Sequence, residues 1–361
     1  MDLQLDDQQI LLAQSLERFL EKRLPFETRV KQRAEDSFLT FWKQMNDELG
    51  IAAAGLGEDV EGYGGGAEAE MIVAGALGRA LAVTPYVDSL VLSASLLYDL
   101  GKKDLVRLIA KQNALIVTAI EEEQTRGNIE HIQCGARQIE NGWKLNGKKL
   151  TVNFAANADI ILIPVRLTDG ELALFSVGQE DIRGAIKPFR LIDETPSADL
   201  ILDDLEIPAD ALLAKGSAVS SALQKAVNRA IAALCAEGAA AAQVMLDDTV
   251  SYTRDRQQFG VSISSFQALQ HRMVDMFLKV EELSAASLLA TVKVGNDAAV
   301  SAAKATLSEG LRLVGQEAIQ LHGAMGLTEE LRVGHYFKRA MVLENRLGNA
   351  DYHVSRYRQF S

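Results

Sequence analysis

The sequence predicts an α+β protein with three parts. We expect an N-terminal helical domain over residues 1–113, a middle β-domain (a small barrel or sandwich) over 114–213, and a C-terminal four-helix bundle over 214–361. Apolar residues recur at three- and four-residue spacing in the first and last parts, which is typical of amphipathic helices. In the middle part, short apolar runs are separated by turn-forming dipeptides, which is typical of antiparallel strands.

Composition excludes several classes of protein. The chain has 361 residues and a net charge of −12, which argues against nucleic-acid binding. Its two cysteines and five scattered histidines form neither a disulfide framework nor a metal-ligand pattern, so we expect no metal. The beginning, MDLQLDDQQILL, is acidic and amphipathic and does not resemble a signal peptide. We therefore expect a cytoplasmic protein without a membrane span, because its Ala-rich central helix is too weakly hydrophobic for a bilayer.

The N-terminal part shows two helices and a glycine-rich loop. Leu16, Phe19 and Leu20 follow helical spacing up to Pro25, and a second helix ends at Gly50. The loop over residues 55–66 lacks the Lys of a P-loop and does not follow a strand. We expect it to be a surface turn.

The middle and C-terminal parts are separated by a change of pattern. Asn141-Gly142 and Asp169-Gly170 stand between apolar runs and predict β-hairpins. After Gly216 the pattern becomes helical, and four helices are predicted over residues 218–254, 266–291, 298–321 and 331–348. The first is apolar nearly all round over residues 230–242, so we expect it to be central in the bundle.

The most informative stretch is RDRQQFGVSISSFQALQHRMVDMF, residues 254–277. It combines Arg256, Phe259 and Gly260 with a turn and a helix that opens at Phe266-Gln267. This stretch resembles the acyl-CoA dehydrogenase flavoproteins. In that family the Arg and Phe hold the FAD of a neighbouring subunit, which implies that Arg256, Phe259 and Gln267 bind the cofactor.

A second stretch, QLHGAMGLTEE from Gln320 to Glu330, is similar to the Gln-x-x-Gly-Gly-x-Gly loop of the same family. Gln320 and Gly323 match, and Ala324 replaces the second Gly. The family loop meets the adenosine end of a neighbour's FAD. Small residues let a backbone approach a diphosphate, which an Arg can hold through charge-assisted hydrogen bonds. The alternative is that the Arg and the aromatic residue are structural.

The β-domain resembles the family less closely. AIEEEQTRGN, residues 119–128, stands in place of the family's Thr-Glu-Pro-x-x-Ser-Asp segment and keeps neither the Pro nor the Ser-Asp. WKLNGKKLTVNFAANAD, residues 143–159, is similar to the next family segment. The match implies that Thr151 and Asn153 contact the flavin ring, with Asn153 in place of the usual Thr.

Neither usual catalytic base of the family is present. The position before Gly348 is Leu347, and the alternative position on the central helix is Ala230. Glu237 lies two helical turns further along the same helix, on the same stripe, so it is the candidate base. A buried carboxylate is costly without a partner. The alternatives are therefore a Glu paired to an Arg or one that faces a solvated groove.

These departures resemble one branch of the family, the pimeloyl-CoA dehydrogenase small subunit and the steroid side-chain enzymes, in which two unlike subunits assemble. The resemblance implies an FAD-dependent subunit that takes part in α,β-desaturation of an acyl-CoA thioester to the 2-enoyl-CoA. It implies electron transfer to an electron-transfer flavoprotein, and either a heterotetramer with a paralogous subunit or a homo-oligomer. The alternatives are a non-catalytic structural subunit that completes the FAD site of a paralogous partner, and a flavin oxidase or monooxygenase on the same fold.

Overall fold

The structure is a computed structural model that describes residues 5–35, 37–111 and 114–360, with the backbone alone for 32–35. Residues 1–4 of the acidic N-terminal segment lie outside the described residues, as does residue 113, where the first predicted domain ends. Helices come first, strands follow, and helices close the chain, so the predicted α+β order is confirmed.

The N-terminal part is helical. Asp6 begins the first helix with a capping box, because its carboxylate accepts from Gln9 N while the Gln9 side chain accepts from Asp6 N. The elements are α1 (Asp7–Arg23), α2 (Phe26–Glu35), α3 (Phe38–Leu49), α4 (Gly66–Arg79), a π-helical segment (Tyr86–Ser93), α5 (Ala94–Asp99) and α6 (Lys103–Ala110).

The strands form one mixed sheet. They are β1 (Ile116–Thr118), β2 (Gly135–Ile139), β3 (Gly142–Asn153), β4 (Ile160–Leu167), β5 (Leu172–Gly178), β6 (Ile186–Arg190), β7 (Pro196–Pro208) and β8 (Leu212–Lys215), with a short α7 (Gln179–Ile182) between β5 and β6. Their order is β6-β7-β3-β2-β4-β5-β8, and β1 pairs with β4. The two predicted hairpins are present as β2–β3, which turns before Gly142, and β4–β5, which turns at Asp169-Gly170.

The C-terminal part contains the four predicted helices and one more. They are α8 (Ser217–Asp255), α9 (Gln267–Val292), α10 (Asp297–His322) and α11 (Arg332–Asn345), followed by α12 (Ala350–Tyr357). A two-residue hairpin of β9 (Gln257–Gln258) and β10 (Val261–Ser262) connects α8 to α9. Asn349 begins α12 by accepting from Tyr352 N, a capping signal that the reading of one helix up to residue 348 missed.

The chain divides into two compact units. One contains Met1–Phe38, Ala67–Val83 and Ile231–Ser361, and the other contains Leu39–Gly66 and Thr84–Ala230. The first unit holds the C-terminal helices and the motifs around Arg256 and Gln320. The second holds the whole mixed sheet.

One helix, α8, is long and apolar enough to cross a membrane by length and composition alone. Of its most apolar window, 83% is buried inside the protein. Burial of this kind is typical of a core helix, which agrees with the central place predicted for it.

Candidate functional site

The connection between α8 and α9 is a tight hairpin with an exposed aromatic residue at its tip. Phe259 and Gly260 both have positive φ, 54° and 81°, as a type I′ turn requires. Gly260 adopts this conformation freely, but a left-handed Phe costs about 1–2 kcal/mol. The Phe259 ring is 91% exposed and touches Phe266 edge-to-face. A strained backbone that presents an apolar ring to water indicates a binding role rather than a packing role.

Arg256 lies at the base of this hairpin. Its backbone carbonyl accepts from Ile263 N, which fixes the chain on both sides of the turn. Its side chain is exposed, and no ion pair with another described residue engages the guanidinium. Neighbouring arginines differ, because Arg272 pairs with Glu317 and Arg332 pairs with Asp248.

The loop after α10 has the geometry that its glycine predicts. Gly323 has φ 60° and ψ −142°, a conformation that is essentially restricted to glycine. A Cβ added at Gly323 would meet nothing within 4 Å. The glycine is therefore required by its backbone conformation and not by lack of space. Gln320 and Gly323 are both exposed, as is Gln267 at the first turn of α9.

Tyr252 and His322 bring the two motifs to the same end of the helical bundle. Their rings stack with centroids 4.4 Å apart and an interplanar angle of 26°. Tyr252 lies one turn before Arg256, and His322 directly precedes Gly323. Burial lowers the pKa of His322, and its Nδ1 lies 2.8 Å from Ala318 O, so the ring is neutral at pH 7. The stack leaves a free guanidinium, an exposed aromatic ring and a bare backbone loop together, a combination suited to a dinucleotide diphosphate.

In the β-domain, a bulge shapes the end of β3. The pairing of β3 with β7 shifts between Lys149 and Val152, and Thr151 within this shift has φ 53°. Thr151 is exposed, and its backbone N donates to Asp199 Oδ1. Asn153 follows in register opposite Ser197 and is buried. The two predicted ring contacts therefore lie at one end of the sheet.

A buried ion pair lies two residues before Thr151 and was not predicted. Lys149 Nζ is 2.6 Å from Glu122 Oε1, and both side chains are almost fully buried. Burial raises the pKa of Glu122, but the Lys149 ammonium and the Gln133 backbone N–H outweigh it, so the carboxyl pKa lies below its ordinary value. The pair ties the AIEEEQTRGN segment to β3. The sequence signal was Lys149 in the W-x-L-N-G-x-K match, whose partner could not be read from spacing.

Glu237 is buried and paired to Arg339. Its Oε1 accepts from Arg339 Nε at 2.7 Å and lies 2.6 Å from Nη2. Gly78 of α4 lies against the backbone there, because a Cβ at Gly78 would come within 2.3 Å of Glu237 O. This is the ion pair that the sequence left open as an alternative. The catalytic role of Glu237 stays a prediction.

The positions of the two usual bases are apolar and buried. Ala230 is fully buried, and Leu347 is 6% exposed with φ 55°. The loop at Leu347 is held by His353, whose Nε2 lies 2.9 Å from Leu347 O. Lys304 Nζ donates to the carbonyls of Leu343 and Glu344 just before it.

A cavity of about 830 Å³ lies in the first unit, among α1, α4, α8 and α11. Its walls include Leu20, Met71, Ala240 and Tyr336, and none of the predicted site residues lines it. Among the described residues, no group of three or more His, Cys, Asp and Glu side chains is placed to hold a metal ion.

Comparison with known families decides the class of the chain. Residues 6–107 match the acyl-CoA dehydrogenase N-terminal domain, and residues 220–359 match the acyl-CoA dehydrogenase C-terminal domain. The two matches together span more than half of the chain. The chain belongs to the acyl-CoA dehydrogenase family. The resemblance that the two motifs carried is thereby confirmed.

Relatives of this acyl-CoA dehydrogenase include steroid-linked proteins. Acyl-CoA dehydrogenase IpdE2 of Mycolicibacterium smegmatis is 28% identical over 344 residues, 93% of each chain. The ChsE4-ChsE5 complex from Mycobacterium tuberculosis superposes with a TM-score of 0.87 and 23% identity, over 99% of this chain and 98% of that chain. The structure of PigA with FAD and proline superposes with a TM-score of 0.86 and 22% identity, over 100% and 99%. Both structural likenesses show the shared fold.

Proposed function

We propose that this chain is a subunit of an FAD-dependent acyl-CoA dehydrogenase that oxidises an acyl-CoA thioester to the 2-enoyl-CoA. The observation that carries the proposal is the arrangement of Arg256, Phe259 and the Gln320–Gly323 loop. The guanidinium is exposed and unpaired among the described residues, and the neighbouring ring is 91% exposed. Both groups are shaped for a ligand from outside the chain. The IpdE2 relative, which carries the acyl-CoA dehydrogenase name, supports the reaction class.

The chain's own groups fit FAD at two places. Arg256 would hold the diphosphate, with Gln320 and the Gly323 backbone at the adenosine end and Phe259 and Gln267 beside them. Thr151 and the Asn153 amide would contact the flavin ring of the FAD that lies in the chain's own β-domain. FAD, when bound, supplies the acceptor for the β-hydride, and the two electrons then pass to an electron-transfer flavoprotein.

The proton side of the reaction needs a carboxylate. Glu237 is our candidate base for the α-proton, because the usual positions hold Leu347 and Ala230. Its pairing with Arg339 means that the carboxylate is held ionised, and Arg339 must share or release it when a proton arrives. The steroid or lipid nature of the acyl group follows from the names of the relatives and is part of the proposal.

A second candidate function is supported by the same ion pair. In this alternative the chain is a structural subunit that completes the FAD site of a paralogous partner and contributes no base. A buried Glu in a two-point contact with Arg is a stabilising unit in many proteins, and breaking it is costly. The ChsE4-ChsE5 complex, an assembly of two named components with the same fold, supports an unlike partner.

One co-purification experiment tests the first proposal. The chain is purified with a co-encoded paralogue, and the visible absorption of bound flavin and the turnover of acyl-CoA are measured. Yellow, active complex is expected. A colourless complex that takes up no added FAD would overturn the proposal.

A single substitution then separates the two candidates. Glu237→Gln should abolish turnover of the complex while FAD stays bound if Glu237 is the base. Arg339→Gln serves as the matched control, since it breaks the same ion pair and leaves the carboxylate in place. Full turnover in Glu237→Gln would favour the structural subunit.

A further inference from the structure

Two buried polar atoms face each other at the end of β3 without any hydrogen bond. They are Asn153 Oδ1 and Ser197 Oγ, and each has less than 1 Å² of accessible surface. Asn153 is 5% exposed and Ser197 is 2% exposed. Buried polar groups nearly always have partners, so such a pair requires an explanation.

The two residues are directly opposite in the antiparallel β3–β7 ladder. Directly opposed residues carry their side chains on the same face of a sheet, with Cβ atoms about 4.5–5.5 Å apart. The hydroxyl is a donor and the amide oxygen is an acceptor, so the two groups are complementary. A rotation of either side chain brings them within the usual distance of a hydrogen bond.

The other end of the Asn153 amide is different. In the part of the chain that the structure describes, Nδ2 makes no hydrogen bond, and it is not among the sealed polar atoms. The amide therefore turns its oxygen inward to the sheet and its NH₂ outward. An outward NH₂ group is a donor for a ligand acceptor, whereas the inward oxygen cannot be reached by any ligand.

We propose that Ser197 is a positioning residue that fixes the orientation of the Asn153 amide. Its hydroxyl donates to Asn153 Oδ1 and so holds the NH₂ group toward the flavin ring, where it donates to a ring acceptor. This inference rests on the proposed FAD site. It adds a residue that neither motif contains.

The replacement of Thr by Asn at this position explains why a positioning residue is needed. A Thr hydroxyl is both donor and acceptor and rotates to suit its ligand. An Asn amide presents a donor in one orientation and an acceptor in the other. A fixed partner on the inward side removes that ambiguity, and Ser197 is the polar side chain opposite Asn153 in the β7 register.

The test compares three variants in the FAD-loaded complex: Ser197→Ala, Ser197→Thr and the control Ser89→Ala. Ser89 carries another sealed hydroxyl without a partner, but it lies in the π-helical segment and not opposite Asn153. Ser197→Ala should weaken FAD binding about 2- to 12-fold, the effect of one net hydrogen bond. It should also shift the flavin absorption spectrum and midpoint potential. Ser197→Thr, which keeps the hydroxyl, and Ser89→Ala should match the wild type.

A second measurement works without cofactor. The melting temperatures of Ser197→Ala, Asn153→Ala and the double variant form a double-mutant cycle in the FAD-free protein. If the hydrogen bond exists, the double variant should lose less than the two singles together. Additive losses, together with an unchanged flavin spectrum in Ser197→Ala, would overturn the inference. A wild-type complex that binds no FAD would instead contradict the proposed function, and the cycle would still test the Ser197–Asn153 contact.

Discussion

Charged side chains in this protein fall into two groups. Lys149, Arg339 and Arg332 are each paired to a carboxylate that holds one element against another. Arg256 is exposed and unpaired among the described residues, although its neighbours carry many carboxylates. An arginine left free beside a strained, exposed Phe259 is the residue-scale signature of a ligand site.

The Lys149–Glu122 pair should be a major contribution to the stability of the β-domain. Lys149→Met leaves Glu122 buried without its cation, and breaking a buried pair in this way costs about 3–5 kcal/mol. Chemical denaturation measures the loss. Lys148→Met, whose side chain is 54% exposed, is the matched control and should change stability by less than about 0.5 kcal/mol. Equal stability of the two variants would show that the pair does not hold β3.

His353 should make stability depend on acid pH. Burial, with Lys304 and Arg356 nearby, lowers the pKa of His353 to about 3 in the folded protein, below its ordinary value of 6.5. The unfolded chain therefore binds a proton between these values and the folded chain does not. Stability is complete above pH 6.5 and falls as the pH drops toward 3, by about 1.4 kcal/mol per pH unit at most.

Urea denaturation of wild type and His353→Gln between pH 4 and 7 checks this dependence. The variant lacks the titrating group, so its stability should fall less steeply over that range. Curves of identical slope would mean that His353 does not contribute to the acid sensitivity.

At the scale of elements, two connections build the candidate site, and both depend on left-handed backbone. The β9–β10 hairpin uses Phe259 and Gly260, and the loop after α10 uses Gly323. The Tyr252–His322 stack holds these connections at one end of the bundle. The site is therefore formed by helix ends and not by the helix faces that make the core.

Gly323→Ala should disturb the second connection. Alanine at φ 60° and ψ −142° is strained by about 1–3 kcal/mol, so the loop should change conformation and retain FAD less well. Gly295→Ala is the control, because that glycine has an ordinary φ and open space around it. Thermal unfolding and flavin retention of both variants decide the matter. A Gly323→Ala protein that behaves like Gly295→Ala would contradict a backbone role for this loop.

Local patterns were enough to predict most elements. Helical spacing located α8 to α10 within a few residues, and Asn141-Gly142 and Asp169-Gly170 located the hairpins. Pairings distant in the chain could not be read in this way. Arg339 lies 102 residues from Glu237, and no spacing rule connects them. The same limit hid Glu122 from Lys149 and Ser197 from Asn153, because their meeting depends on strand register.

At the scale of the whole molecule, α9 carries an exposed apolar stripe. Val274, Phe277 and Leu278 are 53%, 48% and 60% exposed. Their three- and four-residue spacing from Phe266 and Met273 places an apolar face on the outside of the bundle, which is typical of an oligomer interface. We propose that a paralogous subunit covers this stripe in a dimer or a dimer of dimers, with a second copy of this chain as the alternative.

Leu278→Glu should weaken that assembly. A charge placed in an apolar interface is desolvated without a partner, so the complex should shift toward smaller species in light scattering. Leu11→Glu on α1, which is also 60% exposed, is the control and should leave the assembly intact. Full assembly of the Leu278 variant would exclude the α9 stripe from the interface.

The central claim is that Arg256 acts on an FAD whose flavin ring lies in a neighbouring subunit. The most direct measurement is the FAD dissociation constant of the assembled complex with Arg256→Ala, beside Arg254→Ala, an exposed arginine without an ion pair in the described residues. Arg256→Ala should weaken FAD binding by roughly 1.5–3 kcal/mol, or about 10- to 150-fold, with the assembly intact and Arg254→Ala unchanged. If Arg256→Ala binds FAD as tightly as the wild type, the assignment of Arg256 to a neighbour's cofactor is wrong.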